Sequence, residues 1–417
     1  YMKPQQDKLH FGRYDIMGFV AFISYSICSM AIPLVIVEMG NDLNFPLNDG
    51  GMSQGGFLHM MRSASIVIAL LGCGFLAGRI GKRRSMGLSM LLAGGGIVLC
   101  AFAPNYWFLL PMLAIAGLGE GICEGIATPF LQDLHKEAPE RYVNIGHSFW
   151  SVGIAASVII TGLFLHNNLG WRMVLLLGGL MALLDGFAFF IRQPASKQYP
   201  ESTESVESGV VWKQLKAIAA TPRCYAYCLA MAVGSGAEFC LTFWTNAYIR
   251  LQFNAGPWAG AAATAAMALG MFLGRFLVGI YAKPKHLKHI MLSFSLALLP
   301  VCILLLMIKP DTFSCPVMLW SAIMGLLFIG GFTVAPYWPT MQVYGVMNLP
   351  KLDSTMLYIV FSACGIPGCG FFTWLIGILG DAYGLQAAFV CIPASALAYA
   401  IIVYLEGWVF RNGRQQQ

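Results

Sequence analysis

GFLAGRIGKRRSM, residues 74–86, stands where one long apolar run ends and the next begins. Two glycines spaced four apart lead into Arg79, and Gly81 is followed at once by Lys82, Arg83 and Arg84. Such a cluster, wedged between runs long enough to cross hydrocarbon, marks a tight cytoplasmic turn between two membrane helices. A second copy lies far down the chain. In GMFLGR, residues 270–275, Gly270, Gly274 and Arg275 repeat Gly74, Gly78 and Arg79, and the basic stretch AKPKHLKH follows as GKRRS follows the first. A motif repeated at equivalent span ends predicts a chain built from two related halves.

Composition agrees with that reading. Of 417 residues, 58% are hydrophobic and only 11% charged, whereas a soluble domain carries about 25% charge. The chain is therefore expected to be all-α and integral to a membrane. Runs of the length a bilayer needs, roughly 17 to 25 residues, fall near 14–39, 57–81, 85–103, 107–131, 146–166, 172–191, 224–249, 257–282, 288–308, 316–346, 355–380 and 384–406. They are too long and too glycine-rich for barrel strands, which alternate with period two.

The charges set an orientation. With a cytoplasmic N-terminus, most of the 25 Lys and Arg residues fall on the inner side, while Arg172, Arg250 and Lys309 fall outside and Arg62 lies within a span. That bias predicts both termini in the cytoplasm, and the net charge of +6 becomes a topology signal with no implication of nucleic acid. The first run is long and lacks a small-residue cleavage site, so no cleavable signal peptide is expected. The twelve cysteines lie in or beside the spans and are expected to pack as small apolar residues.

The longest polar interruption, residues 192–223, divides the spans six and six, giving 1–191 as one half, 192–223 as a linker and 224–417 as the other half. Its first part is rich in Ser, Glu and Pro and is expected to be mobile. Its second part sets Val211, Leu215, Ile218 and Ala219 on one helical face with Lys213 and Lys216 elsewhere, the pattern of an amphipathic helix at the inner surface.

Within the fourth run, GLGEGICEGIATPF (117–130) holds Glu120 and Glu124. A charge at the bilayer centre costs roughly 2.5 to 3.5 kcal/mol. Four residues apart, the two share a helix face with about 6 Å between Cβ atoms, and two like charges at that distance repel by roughly 3 kcal/mol at an effective dielectric of about 20. At least one is expected to hold a proton at neutral pH unless a cation sits beside it, as a proton carrier requires. The alternative is that both hydrogen-bond across a helix interface and never titrate. Arg62 and His147 are the neighbours to consider, although Arg62 is also placed to snorkel toward headgroups and His147 to serve as a plain hydrogen-bonding group.

The motifs resemble the major facilitator superfamily, whose loop between helices two and three has the pattern of GFLAGRIGKRRSM. One position departs: the residue before Arg79, an Asp in the family, is Gly78. A closer resemblance is to the fucose permease-like sugar symporters. It rests on Glu124 and Pro129 in EGIATPF, on Arg141, Asn144, Phe149, Ser151 and Gly153 in RYVNIGHSFWSVG, on Glu238 and Tyr248 in GAEFCLTFWTNAY, and on APYWPT and SACGIPGCGFFTWLIGILGDAYG.

This resemblance implies the major facilitator fold, twelve transmembrane helices in two six-helix pseudo-symmetric halves, with helices one, four, seven and ten around a central cavity. It implies a sugar and a co-transported cation, proton preferred over sodium, and supports Glu124 as an ion-coupling residue; Glu120, His147 and Arg62 join it as ion-coupling candidates from the residues themselves. Relatives carry an aspartate in the first helix, where this chain has only Asp15 and Glu38 near its ends; Glu120 is expected to take over that task. Arg79, Asn144 and Arg275 are expected to serve gating.

A sugar needs carboxylates and amides for its hydroxyls and aromatic rings for its C–H face. Glu238, Trp244, Asn246, Tyr248, Tyr337, Trp338, Gln342 and Tyr25 are the residues expected to supply them, with Ser24 and Ser26 beside Tyr25. Pro336 and Pro339 are expected to break the tenth helix. The expected activity is sugar import by alternating access, by a monomer in a lipid bilayer, most simply a bacterial inner membrane. An uncoupled facilitator or an exporter of amphipathic molecules is the alternative, and a non-transporting sugar sensor a remote one. No nucleophile with a base, metal cluster or phosphate loop stands out, so neither an enzyme nor a cofactor or metal is expected.

Overall fold

The computed structural model describes residues 10–135, 139–191, 194, 198–200 and 208–409. The side chains of Arg141 and Asn144 lie outside what it describes, as does most of the Ser/Glu-rich stretch.

Helices make up the described chain: α1 Arg13–Asp42, α2 Met52–Ile80, α3 Lys82–Ala101, α4 Tyr106–Leu134, α5 Pro139–His166, α6 Trp171–Phe190, α7 Ser208–Ala219, α8 Pro222–Gln252, α9 Pro257–Tyr281, α10 Leu287–Met307, α11 Pro316–Val334, α12 Tyr337–Asn348, α13 Ser354–Tyr383, α14 Leu385–Ala388 and α15 Cys391–Val409. Among the described residues, twelve stretches are long and apolar enough to span a membrane, six before α7 and six after it. The tenth is the pair α11 and α12, interrupted at Ala335 and Pro336, where proline lacks the amide that a continuing helix needs. The chain is a multi-pass membrane protein.

Local chemistry ends the helices where the sequence predicts turns. Asn105 accepts the Phe108 amide at 3.0 Å to cap α4, and Asp353 accepts that of Met356 at 2.8 Å to cap α13. Gly81 stops α2 at φ +82°, a conformation that costs other residues dearly. The halves repeat these devices: Gly170 (φ +79°) opens the sixth span and Gly384 (φ +84°) the twelfth, while Asn44 and Asn254 take positive φ after the first and the seventh.

Within the halves, α3 packs on α4 and α6, α2 on α4, α8 on α13 and α9 on α11; between them, α2 lies along α13, α5 along α9, and α1 meets α8. Glycine permits the closest approaches. A Cβ on Gly117 of α4 would stand 2.6 Å from the Arg62 carbonyl of α2, closer than any real contact. The outward faces are apolar, with Ile68, Leu184, Phe187, Met307 and Val317 all exposed, as lipid contact requires.

The linker differs in part from expectation. α7 forms, with Ile218 buried, Val211 and Leu215 half-buried and Lys213 and Lys216 exposed, but Ala219 is exposed too. Tyr199, in the stretch expected to be mobile, is buried: its ring stacks on Phe130 at 4.4 Å, and its hydroxyl donates to the Phe130 carbonyl and to Asp133. Asp133 also holds Lys82 of the basic turn at 2.6 Å.

Candidate functional site

A cavity of about 720 Å³, counted together with its open mouth, lies midway along the bundle, between the halves. Its N-terminal wall is formed by Phe22, Tyr25 and Ser29 of α1, His59, Arg62, Ser63 and Ile66 of α2, Glu124 of α4, and His147 and Trp150 of α5. The C-terminal wall is formed by Ser235, Glu238 and Phe239 of α8, Arg275 of α9, Trp338 of α12, and Ile366 and Cys369 of α13. On α2 the spacing 59, 62, 63, 66 is one helical stripe.

At the end away from the termini the halves are joined. Glu38 at the end of α1 and Arg250 at the end of α8 form an ion pair at 2.5 Å. The Asp381 carboxylate of α13 accepts the amides of Met52 and Ser53 at 2.9 and 2.8 Å, capping the unsatisfied first turn of α2 from the opposite half. Below that seam His59 stacks on Phe239 at 4.2 Å, again across the halves. The cavity is thus roofed at this end.

Its polar groups fall into three sets. The first is an ion pair in the wall: Arg275 donates to Glu238 Oε1 at 2.5 Å and to the Ala335 carbonyl at 3.2 Å, where the broken tenth span frees that oxygen. The Arg275 guanidinium also lies 5.3 Å from the centre of the Trp150 ring, across the halves. Another set centres on Arg62, which donates to the Ser29 carbonyl at 2.9 Å and to Ser29 Oγ at 2.7 Å, with Nη2 standing 3.3 Å from Glu120 Oε2. Arg62 is 2% exposed and Glu120 fully buried, so Arg62 does not snorkel. Glu120 is not in the cavity wall; it backs the arginine that is. The condition set on the glutamate pair, a cation beside it, holds for Glu120.

Glu124 makes up the third set. It faces the cavity and makes no ion pair among the described residues; Ser362 Oγ donates to it at 3.3 Å and in turn accepts from Gln342 Nε2 at 2.8 Å. Tyr25 is its neighbour on α1. His147 Nε2 pairs with Thr128 Oγ1 at 3.0 Å and its ring tilts over Phe22, a hydrogen-bonding place within the wall.

The residues expected to bind substrate divide sharply. Glu238, Trp338 and Tyr25 line the cavity. Gln342 stands behind the wall and reaches Glu124 through Ser362. Trp244, Asn246, Tyr248 and Tyr337 are not in the wall. Trp244 donates to the Thr373 carbonyl, Tyr248 stacks on Phe389, and Tyr337 stacks on Tyr399, all within the C-terminal half. The reason for α8 is height: at 1.5 Å per residue, Asn246 stands about 12 Å along the helix from Glu238, beyond the roof. Ser24 and Ser26 are likewise buried away from the cavity.

Of the residues assigned to gating, Arg79 is exposed at the end of α2, while Arg275 is a cavity residue. Arg275 repeats Arg79 in residue type but not in depth, because Gly81 stops α2 just after Arg79 whereas α9 continues to Tyr281. Sequence reasoning missed His59, Ser63, Trp150 and Phe239; the α2 stripe was a legible signal, the cross-half stack was not. It also missed Asp185 of α6, a buried carboxylate away from the cavity.

Comparison with known proteins agrees with this architecture. The solved structure of the E. coli fucose:proton symporter FucP superimposes with a TM-score of 0.62 at 17% identity, covering 94% of this chain and 98% of that one. A bacterial homologue of the human lysosomal transporter Spinster, in an inward-facing and occupied conformation, gives 0.70 at 14% identity, covering 96% of each. Among curated proteins, the niacin transporter NiaP of Acinetobacter baylyi is 28% identical over 139 residues, 33% of this chain and 30% of NiaP. The 4-hydroxybenzoate transporter PcaK of Pseudomonas aeruginosa is 29% identical over 157 residues, 36% of this chain and 34% of PcaK. The matches thus span about a third of those relatives. The Major Facilitator Superfamily model matches residues 16–317, and the chain belongs to that superfamily of transporters.

Proposed function

We propose that this transporter moves a neutral, hydroxyl-rich solute of sugar size into the cell together with a proton, in a bacterial inner membrane with both termini cytoplasmic. The observation that carries the reading is the charge inventory of the cavity. Two guanidiniums, Arg62 and Arg275, are each matched by a carboxylate, Glu120 and Glu238. Glu124 is a third carboxylate, without an ion pair among the described residues. Counting the histidines as neutral, one proton on Glu124 balances the site, and a neutral solute leaves that balance undisturbed.

The remaining groups suit such a solute. Trp150 and Trp338 offer ring faces from opposite walls, Ser29, Ser63 and Ser235 offer hydroxyls, and the Arg275–Glu238 pair presents a donor and an acceptor side by side. Lys and Arg crowd the end that carries the termini, which supports a cytoplasmic placement of that end. The roofed cavity is then closed to the outside, one limit of an alternating-access cycle between halves divided at residues 192–223.

A second reading, a small aromatic carboxylate, is favoured by the names of the relatives, niacin and 4-hydroxybenzoate transporters. An anion would have to compete with Glu120 or Glu238 for an arginine already paired. Thermal unfolding of purified protein against a panel of hexoses, deoxyhexoses, nicotinate and 4-hydroxybenzoate separates the two. Stabilisation by a neutral sugar and not by either acid is expected; stabilisation by the acids alone replaces the proposal with the second reading.

A further inference from the structure

α6 carries one charged residue in its apolar part, Asp185 in LMALLDGFAFF. The adjacent Leu184 and Phe187 are exposed to the lipid side, while Asp185 turns inward and is buried. Gly186 beside it packs on α3, where a Cβ would meet the Gly87 carbonyl and Leu91 at 3.0 Å. The side chain facing Asp185 from α1 is Ser24. Neither Asp185 Oδ2 nor Ser24 Oγ has a hydrogen-bond partner, and Ser24 is fully buried.

The charged and titratable groups around it are few. The Cys28 thiol of α1 and the Cys123 thiol of α4 lie within electrostatic range of it. On α3, Arg83 reaches α6 one turn further on, at the Phe189 carbonyl. Asp185 makes no ion pair among the described residues. Its place in the C-terminal part of α6 denies it help from the helix dipole, which favours cations there. An ionised carboxylate so placed gives up hydration with only the Ser24 hydroxyl in return.

We propose that Asp185 is a proton-binding site of the N-terminal half, separate from the transport cavity. The carboxylate takes up one proton, and the resulting O–H donates to Ser24 Oγ, giving both orphaned oxygens a partner. A metal cation is a poorer fit, because the three side-chain oxygens of Asp185 and Ser24 supply far fewer ligands than such ions gather. Ser24 precedes Tyr25, the α1 neighbour of Glu124, so the proton on Asp185 bears on α1 one residue away from the cavity wall.

Infrared difference spectroscopy of the purified full-length chain in lipid nanodiscs tests this without any transported solute, so its outcome is independent of the solute proposed above. A deuterium-sensitive carbonyl band of a protonated carboxylic acid is expected near neutral pH. It should vanish in Asp185→Asn, shift in Ser24→Ala, and survive in the double variant Glu120→Gln, Glu124→Gln. The Ser24→Ala shift keeps the test decisive if Asp185→Asn does not fold. An Asp185→Asn spectrum identical with the wild type, or a Ser24→Ala band at the wild-type frequency, overturns the proposal. So does loss of the band on adding sodium at constant pH, which assigns the site to a metal cation.

Discussion

Glu38 and Arg250, at the ends of the first and seventh spans, form a 2.5 Å ion pair that fastens one half of the molecule to the other at the end away from the termini. Neither residue borders the cavity. With the Asp381 carboxylate on the first amides of α2, the pair closes the roof while leaving the cavity wall free of its charges. Seam and cavity are thus separate features on the same helices.

Loosening the roof should shift the conformational balance. The side chains of this pair are only 11% (Arg250) and 23% (Glu38) exposed, so the pair is worth more than the roughly 1 kcal/mol of a surface pair, and Glu38→Gln is expected to raise the open-roof population by more than about fivefold. Hydrogen–deuterium exchange at the first amides of α2 measures it. Protection equal to the wild type would show that the pair does not hold the seam.

Glu124→Gln removes the cavity carboxylate that lacks an ion pair and keeps its shape. Pulling sugar uphill with a pH gradient should fail in proteoliposomes, while exchange of labelled for unlabelled sugar continues. Uphill uptake at the wild-type level would place coupling elsewhere.

The Arg275–Glu238 pair should behave as a buried unit. Arg275→Ala leaves Glu238 without its cation and is expected to destabilise the protein by about 3 to 5 kcal/mol, whereas the double change Arg275→Met, Glu238→Gln should recover most of that loss. Thermal unfolding reads stability, and loss of sugar-induced stabilisation in both variants separates binding from folding. Equal stability in the two variants would argue against mutual dependence.

Tyr199 tests whether the linker is anchored. Tyr199→Phe keeps the stack on Phe130 but deletes the hydroxyl that reaches the Phe130 carbonyl and Asp133, a loss of about 1 kcal/mol. Limited proteolysis in the linker should speed up by up to about fivefold, with the twelve spans intact. Unchanged cleavage would mean that the tyrosine is held by its ring alone.

The linear chain was enough to determine the twelve spans, their division around residues 192–223 and the pairing of GFLAGR with GMFLGR, because hydrocarbon thickness imposes a length and a polarity that read out directly. It also singled out Glu124 and Glu238, since an acid inside an apolar run needs a reason wherever it points. What it did not determine was which polar residues share one space. Trp244, Asn246 and Tyr248 follow Glu238 on the same helix, yet the roof made by His59 on Phe239 cuts them off, and that roof exists only when the halves meet. Arg275 matched Arg79 in sequence but stands deeper, because Gly81 ends one helix and not the other. Asp185 and Ser24 lie 161 positions apart, and only packing of α6 on α1 brings them face to face. Burial depth and the contact between halves are properties of the assembled bundle, and they decide which charges are paired and which remain free to take up a proton.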